Sequence, residues 1–171
     1  MTKNVNHKRI GLYYLLFTYN YGLSGTMLSI IIRIELDSSD IRIITMENLN
    51  FYNLSITLHG LLMIFFLVMP GLFAGLGNIF VPTLSGSPEV GYPRVNNMSL
   101  LIVPFSYGLL IVSIGTEFSN GMGWTLYPPL STSLIYLSFI GVNLIIYGLL
   151  FSGISSSLTS INIFGTIQNM K

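Results

Sequence analysis

An all-α membrane protein with four transmembrane helices is the fold class this sequence predicts. Four apolar stretches, at about 11–33, 53–82, 98–118 and 131–152, each reach the roughly 20 residues needed to cross about 30 Å of hydrocarbon. Charged residues make up only 8% of the 171, while 51% are hydrophobic and the mean hydropathy is +0.71. That leaves too little polar side chain to coat a water-soluble globule of this size.

The first stretch follows a basic segment with His7, Lys8 and Arg9, and no cleavage site of small residues follows it, so it reads as a span rather than a signal peptide. It ends near Arg33. The second is longer than one crossing requires and is punctuated by Pro70, Gly71, Gly75 and Gly77. Pro104 is expected to kink the third. Ser155, Ser156 and Ser157 extend the fourth, which predicts tilt or projection past the bilayer. With no internal repeat, linker or soluble domain, residues 1–171 form one membrane unit.

Lys3, Lys8, Arg9, Arg94 and Lys171 fall on one side of this topology, against Arg33 and Arg42 on the other. Basic residues are retained on the negative side, so both termini are expected to face the matrix or cytoplasm. A net charge of +1 gives no reason to expect nucleic acid as a partner. Without cysteine there are no disulfides, zinc clusters or thiolate haem ligands, and metal chemistry must use His, Met or oxygen.

Two polar clusters interrupt the apolar spans at two depths. His59 lies about 10 Å inside the second span at about 1.5 Å per residue, in the leaflet that also holds Arg33, Tyr52, Trp124 and Tyr127. An ionisable side chain at this depth marks a functional site by default. A neutral imidazole suits a haem iron, an arginine a polar haem substituent, and aromatic hydrogen-bonders the propionates. Spacing alone accommodates equally a His59 that hydrogen-bonds a neighbouring helix, a snorkelling Arg33 and an interfacial aromatic belt. At the opposite side stand Tyr14, Asn78, Glu89, Asn96, Asn97 and Asn162. They read either as a water chain for protons leading inward from an acid, or as helix caps and a solvated loop.

The stretches Thr57-Leu-His-Gly-Leu-Leu-Met-Ile-Phe-Phe-Leu-Val-Met-Pro70, Gly77-Asn-Ile-Phe-Val-Pro82, Gly86-Ser-Pro-Glu-Val-Gly-Tyr-Pro-Arg-Val-Asn-Asn-Met-Ser99 and Gly123-Trp-Thr-Leu-Tyr-Pro-Pro-Leu130 resemble subunit I of the haem–copper oxidases, cytochrome c oxidase above all. The resemblance runs from about Ile10 to Lys171 and implies the first third of a twelve-helix core. It implies that His59 is an axial ligand of low-spin haem a, that Arg33 sits near its formyl group and that Glu35 belongs to a peripheral cation site. It places Tyr52, Trp124 and Tyr127 near the propionates, and Tyr14, Asn78, Asn96, Ser99, Ser155, Ser156 and Asn162 along a proton pathway entered at Glu89.

Three departures from the family's pattern stand out. Glu89 stands where an aspartate is usual. Thr18-Tyr-Asn-Tyr21 replaces small residues and tryptophan in the middle of span one, and Asn143 replaces an acid. By the same resemblance the ligands of haem a3 and copper, and the second ligand of haem a, lie on later spans, and the second histidine here, His7, is in the basic tail. The expectation is therefore an N-terminal fragment of a split subunit in the mitochondrial inner membrane. The remaining fragment of subunit I, subunits II and III, cytochrome c and the bilayer would be its partners. A quinol oxidase fragment and a stand-alone membrane haem carrier are the alternatives.

Overall fold

A computed structural model describes residues 6–37, 44, 49–116, 121–128, 131 and 139–169. Lys3, Arg42 and Lys171, on which part of the orientation argument rests, lie outside the described residues, as do residues 132–138. The described residues contain helices and no strand. Four helices are long and apolar enough to cross a membrane: α1 (His7–Glu35), α2 (Phe51–Ser85), α3 (Pro93–Ile114) and α4, whose membrane-length part is Ile140–Asn169.

The Asn6 side chain caps α1 by accepting the Lys8 N–H at 2.9 Å, and Arg33 in the last turn opposes the negative end of the helix dipole. Helix α2 widens into π-helical turns over Leu62–Val68 and Pro70–Leu76, on either side of Met69. Pro70 offers no N–H, and a π register is one way of rehousing the hydrogen bond it lacks. Pro104, by contrast, sits inside an uninterrupted α3.

Helix α4 begins its described course at Phe139 and runs to Asn169, well beyond the end near 152 that hydropathy suggests. Its serine run continues the helix because the hydroxyls bond back to the preceding turn: Ser156 and Ser157 to the Gly153 carbonyl, Ser160 to that of Ser156. Hydroxyls satisfied in this way need no water, so the run does not end the helix. Asn162, expected beyond the span, is consequently inside α4 and fully buried.

Two antiparallel helix pairs position everything that follows. Small residues on α1 meet α2 at one register: Gly11 against Ile79 and the Gly75 carbonyl, Thr18 against Gly71, Gly22 against Leu67 and Gly25 against Met63. A Cβ on Gly25 would stand 2.9 Å from the Met63 sulfur, so a larger residue there would require the Met63 side chain to shift. Helices α3 and α4 pair in the same antiparallel sense. Ser155 Oγ donates to the Ser99 carbonyl at 2.8 Å, Ser106 Oγ donates to the Gly148 carbonyl, and Gly148 packs on Leu110. With no hydrophobic driving force between helices in lipid, such close packing and interhelical hydrogen bonds hold the bundle.

Candidate haem and proton sites

The approach at Gly25 has a chemical consequence. It brings the Gly25 carbonyl to 2.8 Å from His59 Nδ1. A backbone carbonyl only accepts, so Nδ1 carries a proton, and in the neutral ring Nε2 is then left with a free lone pair. Orienting a ligating imidazole through its second nitrogen is the usual arrangement in metal sites. Widening the approach should disturb this imidazole: Gly25→Val is expected to displace α1 from α2, lengthen the His59 bond and shift the visible band of any haem bound there. An unshifted band in that variant would show that the carbonyl does not set the imidazole.

Among the described residues Arg33 is exposed and has no hydrogen-bond or ion-pair partner. It lies eight residues beyond Gly25 on α1, toward the same end as half-buried Tyr52 on α2. Glu35 is already engaged, since its carboxylate accepts the Ile44 N–H at 3.0 Å. No cluster of three His, Cys, Asp or Glu side chains suited to a metal occurs among the described residues.

The connection bearing Trp124 and Tyr127 is laid along one face of α2. Gly121 abuts the Asn53 backbone where no Cβ would fit, Gly123 N–H donates to Thr57 Oγ1 at 3.0 Å, and the Trp124 side chain lies over Gly60, next to His59. Positions 53, 57 and 60 share a helix face. Gly123, at φ 78°, and Leu126, at φ 52°, turn the chain so that Leu126 packs against the core while Trp124 and Tyr127 stay exposed. Left-handed backbone at a leucine is costly and persists where surrounding contacts fix it.

At the other end, Tyr14, Asn96, Ser99, Ser155 and Thr159 form a hydrogen-bonded set around Ser99. Ser99 Oγ donates to the Asn96 carbonyl at 2.7 Å, so the Tyr14 hydroxyl, 2.8 Å away, donates to Ser99. Thr159 Oγ1 lies 3.3 Å from the same Ser99 oxygen. Asn78, Asn96 and Asn162 are all fully buried. Asn78 Nδ2 donates to the Ala74 carbonyl and Asn162 Oδ1 accepts the Tyr92 N–H, both within 2.8 Å. Asn78 Oδ1, both amide atoms of Asn96 and Asn162 Nδ2 have no partner among the described residues. An unsatisfied buried polar group costs about 1–3 kcal/mol, and internal water is the usual remedy. These two acceptors and two donors are thus atoms suited to hold water. Ser155, Ser156, Thr159 and Tyr14 also line a cleft of about 730 Å³ beside α4.

Sequence reasoning missed four of these features. Gly25, Thr57 and Thr159 carry no signal of their own, and His7 looked like part of a basic tail. His7 is instead 5% exposed, with Nδ1 3.3 Å from the Glu89 carboxylate. The loop behind Glu89 is held from α4 as well, where Thr166 Oγ1 accepts the Gly91 N–H at 2.9 Å.

Comparison with known proteins supplies the family. The family model described as Cytochrome C and Quinol oxidase polypeptide I matches residues 9–171. The chain belongs to this oxidase family. It is 54% identical over 168 residues to cytochrome c oxidase subunit 1 of Plasmodium falciparum, covering 98% of this chain and 35% of that protein. The same subunit of Theileria annulata is 52% identical over 166 residues, 97% of this chain and 34% of the relative. The chain thus spans about a third of the length of these curated relatives. The family is that of the haem–copper oxidase core, and its members are multi-pass membrane proteins, in keeping with the four spans.

Proposed function

We propose that the chain forms the N-terminal part of the catalytic subunit of a mitochondrial cytochrome c oxidase, holding low-spin haem a through His59 and lining a proton route from Glu89. The observation that carries this is the His59 bond to Gly25, which fixes the tautomer that leaves Nε2 available to iron. Arg33 would set its unpaired guanidinium against a polar haem substituent, and Tyr52, Trp124 and Tyr127 would meet the propionates at the membrane surface. Bound there, haem a supplies a one-electron carrier on the way to the haem–copper centre.

Glu89 would collect protons at the negative face and pass them toward Asn78, Asn96 and Asn162, whose unpartnered amides are suited to order water. Tyr14, Ser99, Ser155 and Ser156 would carry the route on toward the cleft. Glu35, tied to Ile44, would contribute a peripheral cation ligand. The ligands of haem a3 and copper, and the second ligand of haem a, would come from the remaining two thirds of the subunit. Subunits II and III and the donor cytochrome c complete the complex.

A quinol oxidase shares the core, and a copper-bearing partner subunit separates the two. A stand-alone haem carrier normally needs two facing histidines per haem. Here the second histidine, His7, sits at the far end of the bundle against Glu89. Haem and subunit analysis of the complex containing the chain tests the proposal. Haem a together with polypeptide segments bearing the missing ligands is expected, and a b-type haem with no such segments would overturn it. Within that complex Arg33→Met should leave haem a bound but move its absorption band and potential, because a positive hydrogen-bond donor is lost without a ligand. An unmoved band would take Arg33 away from the haem.

A further inference from the structure

The residues Thr18-Tyr-Asn-Tyr21, which depart from the family's small residues, build something specific in the bundle. Tyr21 is 5% exposed and stacks on Tyr107 of α3, with ring centroids 4.1 Å apart and planes at 26°. Phe66 of α2, fully buried, meets Tyr21 edge-on at 6.1 Å and Tyr107 at 6.2 Å, and Phe17 stacks on Tyr21 at 6.2 Å. Three helices thus contribute rings to one layer. Aromatic pairs at these separations are in van der Waals contact and leave no room for water between the faces.

The position of this layer gives it meaning. On α1 Tyr21 lies between Tyr14, about 10 Å to one side, and Gly25, about 6 Å to the other. On α2 Phe66 stands between Asn78 and His59, and on α3 Tyr107 lies beyond Asn96 and Ser99. One side therefore holds the buried amides and hydroxyls suited to water, and the other holds the imidazole. Thr18 and Ser106, polar residues next to the layer, donate to the Leu15 and Gly148 carbonyls and offer no donor to a crossing chain. The continuous set of hydroxyls instead leaves sideways, from Tyr14 through Ser99 to Ser155 and Thr159 on α4.

We propose that Tyr21, Tyr107 and Phe66 form an aromatic seal that keeps water from passing up the middle of the bundle to the His59 site and confines protons to the α3–α4 side. The proposal rests on the proton route given above. A seal at this place keeps protons taken up at Glu89 from short-circuiting across the membrane through the haem pocket. The Tyr21 hydroxyl makes no hydrogen bond among the described residues, so the ring, not the phenol group, does the sealing.

The test uses the whole oxidase complex in vesicles, with haem a content, oxygen consumption and protons translocated per electron measured together. Tyr21→Ala should keep haem a and at least half of turnover while the proton-to-electron ratio falls to half or less, because water entering the gap bridges the two polar layers. Tyr21→Phe should behave as wild type. A wild-type ratio in Tyr21→Ala would overturn the seal, and so would a collapsed ratio in Tyr21→Phe, which would mean that the hydroxyl conducts. If Tyr21→Ala fails to assemble, Tyr107→Leu carries the same expectation and the same contradicting result. Glu89→Gln run in parallel separates the two claims: a normal ratio there rejects the proton route itself, whereas a lowered ratio there with a normal one in Tyr21→Ala rejects only the seal.

Discussion

His59→Leu is expected to remove the low-spin haem a signal proposed for the oxidase complex while α2 still inserts. Leucine is more favourable than histidine in hydrocarbon, so the span loses nothing in insertion. The Gly25 carbonyl gives up one hydrogen bond, a loss of about 1 kcal/mol, which four packed helices tolerate. What disappears is the nitrogen lone pair at Nε2, and the other histidine of residues 1–171, His7, lies at the opposite end of α1. Losing partners around a metal ligand typically costs about 10–100-fold in affinity, and losing the ligand itself costs more. The check is the reduced-minus-oxidised spectrum, with subunit content measured by blotting. An unchanged low-spin spectrum with the variant chain present would remove His59 from the haem.

Glu89→Gln should lower turnover and proton pumping by about tenfold or more, with haem content normal, as expected when a positioned proton-transfer group is deleted. The glutamine is nearly isosteric and its carbonyl oxygen can still accept from His7 Nδ1, so the loop stays clamped between α1 and α4. Only the titratable group is lost. Oxygen consumption and pumping in vesicles measure the effect. Wild-type pumping in Glu89→Gln would place the proton-collecting carboxylate elsewhere.

Much of this was legible in the sequence wherever a single residue conflicts with its surroundings. A histidine in an apolar run, and asparagines at span ends, announce themselves because lipid cannot satisfy them. What required the fold is what depends on register between helices. Gly25 is one glycine among 17 until α1 and α2 are paired, when its carbonyl turns out to face His59. His7 and Glu89 are 82 residues apart and carry no common pattern. How far α4 continues past 152 was legible only as the projection its serines suggest, because a hydropathy average counts serine hydroxyls as polar although those of Ser156, Ser157 and Ser160 bond to their own helix. Tyr21 was visible only as a departure, and its stacking on Tyr107 shows what the larger side chain packs against.

The most direct measurement is a density map of the assembled oxidase complex that resolves side chains and cofactors around α2. The expected map shows haem iron within bonding distance of His59 Nε2, with Nδ1 still hydrogen-bonded to the Gly25 carbonyl and Arg33 against a polar edge of the porphyrin. Iron bound by Nδ1, or a haem with His59 outside its coordination sphere, would contradict the account.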